Sequence, residues 1–470
     1  MDEKKTPTAA QKKKNDLFFQ PKNGYDRLAA GEEKIIEEYC EGYKAFLDEG
    51  KIERECVSYA ISLAEAAGFR PLTRGMALKP GDKVYRNNRG KSLMLAVIGQ
   101  KSLAEGSVIG AAHIDSPRLD LKQNPLYEEK GMAYLKTHYY GGIKKYQWTA
   151  IPLALHGLVV RQDGSTVAVR IGEEPGDPQF TVGDLLPHLA NDQAKRLMGE
   201  IVTAEQLNVF VGCRPCEGEE ESDRVKLASL DILNKKYGII EEYFLSSELM
   251  AVPAAKAVDI GFDRSVIGAY GQDDRVCAYA CLRALLDIED PQTTAICVLA
   301  DKEEIGSMGV TGMQSAAFDA FMADLCQSQN VPLRACYETS FCLSADVTAA
   351  FDPNFAEAYE LRNSAFLNHG VCISKYTGAR GKSGASDASA EVVGRVRRTF
   401  ADGQVIWQLA ELGKTDQGGG GTVAAYMAQR NIDTLDAGVP VLSMHSPFET
   451  VGKLDCYMTF KGMKAVYESV

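Results

Sequence analysis

The sequence lacks any long apolar run, and it has no surplus of basic residues. No window reaches the roughly 18 uninterrupted apolar residues that a membrane-spanning helix needs. The 52 lysines and arginines are outnumbered by 64 aspartates and glutamates, which gives a formal net charge of −12. Such a chain has no excess of positive charge to neutralise phosphates. The sequence therefore predicts neither a membrane span nor a nucleic-acid partner.

Two further absences bear on the compartment. The first 15 residues are polar and rich in lysine, without the apolar core of a secretory leader. The single CxxC pattern, Cys213-Arg-Pro-Cys216, has no second pair, which a zinc knuckle would require. Twelve cysteines in a chain of this kind indicate free thiols rather than a disulfide framework. We therefore predict a cytoplasmic location.

The patterning of the 470 residues predicts two or three domains and an α/β fold. Residues 1–16 are polar and indicate a frayed or disordered start. Residues 29–68 show helical spacing of apolar side chains, and later apolar runs are short enough for buried strands. Residues 118–255 instead alternate like β-strands between glycine turns. We expect a mixed central sheet flanked by helices, formed by residues 1–117 and 256–470, with a β-rich domain inserted at 118–255.

Chemistry-bearing side chains follow several of the strand-like runs. Four runs end in histidine or acidic residues: 107–112 before His113 and Asp115, 295–300 before Glu303 and Glu304, 341–344 before Asp346, and 439–444 before His445. A fifth segment places Asp273 and Asp274 just before an apolar helix. An isolated Glu-Glu pair usually lies in a solvent-exposed loop and has no function. These acids, however, follow strands, and open α/β sheets carry their functional sites at the carboxyl ends of strands. Mixed imidazole and carboxylate donors suit zinc or a neighbouring divalent metal.

Five spaced motifs resemble those of the dinuclear zinc aminopeptidases of the aspartyl aminopeptidase and yeast aminopeptidase I family. They follow one another along nearly the whole chain: His113-x-Asp115, Asp273-Asp274-Arg275, Glu303-Glu304-x-Gly306, Ser344-Ala-Asp346 and Met444-His445-Ser-Pro. The resemblance implies removal of the N-terminal residue from short peptides by two zinc ions per subunit, with cobalt or manganese as alternatives. It also implies that the insert mediates dimerisation, within a homo-oligomer that is a dodecamer built from dimers.

The resemblance also implies the role of each residue. One ion would bind His113, Asp273 and Asp346, and the other would bind Asp273, Glu304 and His445. Asp115 would orient the His113 imidazole, and Glu303 would remain uncoordinated as the general base. Asp274 would instead contact Arg275 or cap the following helix.

Four further residues are expected at the substrate. His188 resembles a histidine that reaches the active site of a neighbouring subunit. Lys375 resembles a lysine that receives an acidic substrate side chain, but its spacing differs by one residue, so a neutral N-terminal residue is also open. The glycine run 418–421 precedes a predicted helix, where backbone amides can approach a ligand closely. We therefore expect Gly420 and Thr422 to contact the substrate.

Two other functions are compatible with the same ligand set. A dinuclear deacylase or carboxypeptidase would use the same donors, and residue spacing alone does not separate these activities. A non-catalytic, shell-forming protein could also keep the fold. The intact set of five ligands argues against that last alternative, because a binding module has no need for an uncoordinated Glu303 beside a metal pair.

Overall fold

The computed structural model describes residues 8–19, 21–218 and 222–469. These residues form ten α-helices, which are α1 Ala9–Leu17, α2 Glu32–Glu49, α3 Glu53–Ala66, α4 Arg224–Tyr237, α5 Gln272–Leu286, α6 Ala317–Ser328, α7 Leu333–Thr339, α8 Ala390–Asp402, α9 Ala424–Ala428 and α10 Lys453–Glu468. The first eleven of their strands are β1 Arg70–Pro71, β2 Lys83–Asn88, β3 Ser92–Val97, β4 Ser107–His113, β5 Arg118–Glu129, β6 Met132–Tyr140, β7 Leu153–Val160, β8 Thr166–Ile171, β9 Thr181–Val182, β10 Val209–Gly212 and β11 Ser247–Pro253. The remaining strands are β12 Val258–Ile260, β13 Val266–Ala269, β14 Thr294–Ala300, β15 Phe341–Ser344, β16 Thr348–Ala349, β17 Val371–Ser374, β18 Trp407–Leu409, β19 Asp433–Gly438, β20 Pro440–Leu442 and β21 Glu449–Gly452.

A nine-stranded mixed sheet forms the centre of the molecule. Its strand order is β1-β2-β3-β14-β4-β15-β19-β17-β18. The four adjacent strands β14, β4, β15 and β19 run parallel to one another. The strands on either side of this group are antiparallel to it: β3 pairs with β14, and β17 pairs with β19. The carboxyl ends of the parallel strands consequently meet at one edge of the sheet.

The central strands read as continuous apolar runs because both of their faces are buried. Along β14, Ala295, Cys297 and Leu299 belong to one hydrophobic core. The alternate residues Ile296, Val298 and Ala300 belong to a second core on the other face. Since successive strand side chains point to opposite faces, one short run supplies two cores.

Helices cover both faces of this sheet, so the predicted α/β architecture is confirmed. Buried residues of α2, α3, α5, α8 and α10 share the first core, while those of α6, α7 and α9 share the second. On the first face α10 packs very closely against β4, because a Cβ at Gly110 would lie 2.3 Å from Tyr467 Oη. Glycine at position 110 therefore permits this helix–strand contact.

Residues 118–255, which we call the insert, carry a separate seven-stranded sheet with the order β8-β7-β11-β5-β6-β10-β9. All seven strands lie between Arg118 and Pro253. Its own hydrophobic core surrounds the fully buried Trp148. The assignment of the insert to dimerisation stays a prediction.

A third sheet contains part of the strand-like run 439–444. Within this run Pro440–Leu442 is a strand, and this strand, β20, belongs to a five-stranded sheet of order β12-β13-β21-β20-β16. His445 therefore reaches the site from a different sheet than His113.

The N-terminal prediction needs correction where the structure describes it. Residues 9–17 form α1, which a reciprocal pair of hydrogen bonds between Thr8 and Gln11 caps, although every side chain of α1 is exposed. Residues 1–7 lie outside the described residues. The twelve cysteines form no disulfide, as expected. Among the described helices, none has the length and apolar character to cross a membrane.

Candidate metal centre

Three adjacent parallel strands deliver most of the predicted ligands to one edge of the central sheet. His113 is the last residue of β4, and its register partner on β14 is Ala300, which precedes Glu303 and Glu304. Asp346 follows β15, the other neighbour of β4. The ligands therefore come together because the carboxyl ends of these strands do.

Asp273 lies between the two histidines at the start of α5. Its Oδ1 atom is 3.2 Å from His113 Nε2, and its Oδ2 atom is 3.1 Å from His445 Nε2. Because of these two distances, the Asp273 carboxylate faces both imidazoles, which is the position a bridging ligand requires. The Asp273–Asp274 peptide bond is cis.

Two overlapping groups of donor atoms result, and the structure brings together all five predicted ligands. In each group the donor atoms lie within 4.8 Å of one another: His113, Asp273 and Asp346 form one, and Asp273, Glu304 and His445 form the other. Glu304 Oε2 is 3.5 Å from His445 Nε2, whereas its buried Oε1 atom has no hydrogen-bond partner. Crowded carboxylates with an unpartnered buried oxygen fit the binding of divalent cations.

The orientation of both imidazoles fits this interpretation. His113 Nδ1 lies 3.0 Å from the backbone carbonyl of Asp115, and His445 Nδ1 lies 2.8 Å from that of Gly142. With the Nδ1–H donated in this way, the Nε2 atom of each neutral ring presents its lone pair to the carboxylates.

Asp115 does more than the sequence predicted. Its fully buried carboxylate lies 3.4 Å from His113 Nδ1, so it helps to orient the ring. The same carboxylate also accepts hydrogen bonds from the backbone amides of Glu303 and Glu304, at 3.1 and 3.2 Å. Asp115 therefore fixes the turn that carries Glu303 and Glu304.

Sequence reasoning missed Glu449, the first residue of β21. Its Oε1 accepts from the backbone amide of His445 at 2.7 Å, and its Oε2 accepts from that of Asp273 at 3.1 Å. This buried carboxylate ties two ligands of different segments together through their main chains. The only signal in the sequence was an acidic residue four positions after His445.

Asp274 departs from its predicted contacts. Its Oδ2 accepts from the backbone amide of His113 at 3.3 Å. The guanidinium of Arg275 instead donates to the backbone carbonyls of Ile114 and Lys51, at 3.2 and 3.0 Å. Asp274 thus supports the end of β4 and does not pair with Arg275.

The protonation behaviour of the acids follows from burial and mutual repulsion. Burial, together with the charges of Asp115 and Asp273, raises the pKa of Glu303 to about 7. Burial and the charge of Asp273 raise the pKa of Glu304 well above its ordinary value. Burial alone would also raise the pKa of Asp273, but the imidazoles of His113 and His445 lower it below its usual range. Glu303, whose Oε2 atom lies 4.0 Å from His113 Nε2, is thus suited to exchange protons near neutral pH.

A cavity of about 790 Å³ opens from this cluster, and loops 376–382 and 411–422 form its other side. Gly420 and Thr422 line it, and the Thr422 hydroxyl donates to Asp436 at 2.8 Å. That they contact a substrate stays a prediction. The glycine run forms this wall from main chain: a Cβ at Gly418 or Gly419 would lie 1.7 Å from a carbonyl oxygen, whereas Gly420 and Gly421 face open space.

Two predicted residues do not join the site within the chain. Lys375 is not among the residues that line the cavity; its Nζ pairs with Asp387 at 2.6 Å. The basic residues that do line it are Arg380, Lys382 and Lys414. His188 lies in an exposed turn of the insert and is also absent from the lining. The spacing of the sequence motif could not show whether Lys375 or one of these three later basic residues faces the cavity.

The chain is similar to known proteins along nearly its whole length. Residues 46–467 match the family described as aminopeptidase I zinc metalloprotease (M18). The "probable M18 family aminopeptidase 1" of Clostridium acetobutylicum is 48% identical over 459 residues, which cover 96% of this chain and 99% of that protein. The crystal structure of an M18 aminopeptidase from Thermotoga maritima superposes with a TM-score of 0.92 at 41% identity, covering 96% of this chain and all of the other. That of aminopeptidase I from Clostridium acetobutylicum gives 0.91 at 47% identity, with the same coverage.

These findings decide against the deacylase, carboxypeptidase and shell-protein alternatives. The chain belongs to the M18 family of aminopeptidase I zinc metalloproteases, and it is a zinc-dependent aminopeptidase.

Proposed function

We propose that the chain removes the N-terminal residue from short peptides at a centre of two zinc ions. The observation that carries this proposal is the position of Asp273, whose two oxygens face His113 and His445 at 3.2 and 3.1 Å. His113 and Asp346 complete one set of donors, and Glu304 and His445 complete the other. A single ion would leave the remaining donors of one of these two sets unused.

The chain's own residues account for the proton transfers. Zinc, when bound, supplies a Lewis acid that polarises the scissile carbonyl. Glu303 accepts a proton from the attacking water and passes it to the leaving amine, since it lies at the cluster without belonging to either donor set. A positioned general base of this kind contributes typically about 10²–10⁴-fold to the rate. Asp115 keeps Glu303 in place through its backbone amide.

The preferred N-terminal residue is, in this proposal, acidic or neutral. An acidic side chain would meet Arg380 or Lys414 rather than Lys375, because both line the cavity and neither has a carboxylate within 4.0 Å among the described residues. Lys382, in contrast, already forms an ion pair with Asp387 at 3.1 Å and lies over the ring of Tyr376, so its charge is already partly compensated.

One experiment tests the proposal. The purified protein is stripped with a chelator, titrated with zinc, cobalt or manganese, and assayed on peptides with acidic, neutral and blocked N-termini. We expect activity to return only after two equivalents of metal per subunit, and only on free N-termini. Full activity at one equivalent would refute the two-ion centre. Peptides with a basic N-terminal residue complete the panel, and their hydrolysis at the rate of the acidic and neutral peptides would refute the selectivity.

The mode of assembly remains part of the proposal. The turn around His188 exposes three leucines, Leu185, Leu186 and Leu189, with exposed fractions of 52%, 50% and 67%. Clustered exposed apolar side chains favour burial against another surface. We infer that this turn contacts a second copy of the chain, within a closed homo-oligomer built from dimers.

A further inference from the structure

The end of β6 brings three consecutive residues of the insert into the metal centre. The Tyr140 hydroxyl donates to Asp115 Oδ2 at 2.8 Å. A Cβ at Gly141 would lie 3.4 Å from Glu304 Oε2. The carbonyl of Gly142 accepts from His445 Nδ1 at 2.8 Å. Both halves of the site are thus touched by one short stretch of chain that belongs to neither.

Tyr140 is held rigidly enough to direct its hydroxyl. Its side chain is buried, and the guanidinium of Arg118 lies 3.9 Å from the centre of its ring. Arg118 in turn pairs with Glu53 at 3.2 Å and Asp120 at 2.8 Å. The ring therefore cannot turn away without disturbing a buried set of charges.

The partner of that hydroxyl has little room to compensate for its loss. Asp115 is fully buried, and its carboxylate already accepts from the amides of Glu303 and Glu304. Without the Tyr140 hydroxyl, a buried anionic oxygen loses a hydrogen bond, and the carboxylate is freer to rotate. Rotation would move the turn of Glu303 and Glu304 and would remove the carboxylate contact of the His113 ring, which then keeps only its hydrogen bond to the Asp115 backbone carbonyl.

Gly142 contacts the other half of the centre, which contains His445. Its carbonyl fixes His445 with the proton on Nδ1, which leaves Nε2 as the donor atom. His445 has a positive φ of 64°, an uncommon conformation for a residue with a side chain. The contact from the insert therefore helps to hold an imidazole whose own backbone does not favour its position.

We propose that residues 140–142 are a positioning element for both halves of the metal centre. The insert would then serve the catalytic domain directly, in addition to any role in assembly. Partners that orient metal ligands in this way typically account for about 10–100-fold in metal affinity or activity. This inference rests on the metal centre of the proposed function.

The first test compares Tyr140→Phe with Tyr139→Phe. Both residues are on β6, but Tyr139 is 38% exposed, and its ring stacks on His138. Zinc affinity is measured by competition with a chelator, beside kcat, KM and the unfolding midpoint of the metal-free protein. We expect Tyr140→Phe to weaken zinc binding about 10-fold or more and to lower kcat. KM and the metal-free midpoint should change little, and Tyr139→Phe should behave as wild type.

The second test does not depend on Tyr140 and uses two glycines of the same hairpin. Gly141 and Gly131 have positive φ angles of 73° and 75°, so alanine strains both backbones similarly. A Cβ at Gly131 meets nothing within 4 Å, whereas one at Gly141 would lie 3.3 Å from Pro117 Cγ and 3.4 Å from Glu304 Oε2. We expect weaker zinc binding only for Gly141→Ala, and a loss of metal-free stability at least as large as that of Gly131→Ala because of the added contact with Pro117.

The outcomes separate this inference from the proposed function. Wild-type zinc affinity and kcat in both Tyr140→Phe and Gly141→Ala would overturn the positioning role, whatever the number of ions. A variant that loses its metal-free fold also counts against it, because the role then is structural. If wild type binds a single zinc ion, the two-ion proposal fails, while the difference between Tyr140→Phe and Tyr139→Phe still decides the inference.

Discussion

Glu303 and Glu304 are neighbours in the chain, but their side chains have different positions at the site. Glu304 belongs to a donor set, with Oε2 at 3.5 Å from His445 Nε2, and Glu303 belongs to neither set. We predict that Glu303→Gln keeps its zinc and loses about 10²-fold or more in kcat. Glu304→Gln, the matched control, should bind zinc more weakly, because Glu304 belongs to a donor set. Metal analysis and peptide hydrolysis on both variants check this, and near-normal turnover in Glu303→Gln would remove it as the base.

Glu449 provides a second prediction for a single residue. Its two oxygens accept from the amides of His445 and Asp273, and an amide side chain would turn an NH₂ group towards one of these donors. Glu449→Gln should therefore weaken zinc binding by about 10–100-fold and destabilise the protein by about 1–3 kcal/mol. Isothermal titration and urea unfolding measure the two effects; unchanged zinc affinity would contradict the role.

The sequence predicted ligands better than it predicted their supports. His113, Glu304 and Asp346 could be found because each lies at the end of a buried strand or just after it, and the topology of the sheet then brings them together. Glu449 and Tyr140 were not found, because Glu449 also binds the amide of the distant Asp273 and Tyr140 binds Asp115 from another strand. Contacts between separate segments leave no periodic pattern in the sequence.

Individual elements were predicted where both faces of a strand are buried. The run that became β14 supplies two cores, so its apolar character is continuous and easily recognised. The run 439–444 looked similar, yet β20 joins the small sheet. Local composition indicates that a strand is buried, but the sheet that it joins depends on long-range pairing.

A buried charge cluster links α3 to the insert. His156 Nδ1, on β7, lies 2.7 Å from Glu55 Oε1, and its Nε2 lies 3.3 Å from Glu173 Oε2. Lys51 and Arg170 also contact Glu173, at 3.5 and 3.1 Å. Burial by itself lowers the pKa of His156, but the two glutamates raise it above its ordinary value. Protonated His156 therefore stabilises the contact between α3 and the insert.

This cluster predicts a pH-dependent stability. A raised folded-state pKa contributes stability that is complete below the unfolded value of about 6.5 and is lost as the pH rises through the folded value. His156→Gln should consequently cost more unfolding free energy at acidic than at alkaline pH. Urea unfolding near pH 5.5 and pH 8.5 measures the difference. His138→Gln, at an exposed position of β6, is the control for replacing a histidine by glutamine.

At the scale of the whole molecule, the question is whether one subunit contains a complete site. His188 is exposed on the insert and does not line the cavity of its own chain. We predict that His188→Ala and Glu303→Gln are each inactive alone, and that mixing them after dissociation and reassembly restores part of the activity. A histidine supplied by a partner to the developing oxyanion explains this result.

The same treatment of wild-type protein is the control for that experiment. If wild type recovers and the mixed assemblies stay inactive, His188 does not act across subunits. Sedimentation of wild type and of Leu189→Glu reports the assembly itself. The charged variant should form smaller species if the leucine-rich turn is an interface.

The glycine run in the cavity wall has a practical consequence for engineering. Gly418 and Gly419 are closed to any side chain, since a Cβ at either would meet a carbonyl oxygen at 1.7 Å. Gly420 and Gly421 carry no such restriction and face the space where a substrate would lie. A library that varies these two positions alone would reshape the cavity while the metal ligands and their supports stay intact. The wall thus offers a site for redesigning which peptides the enzyme accepts.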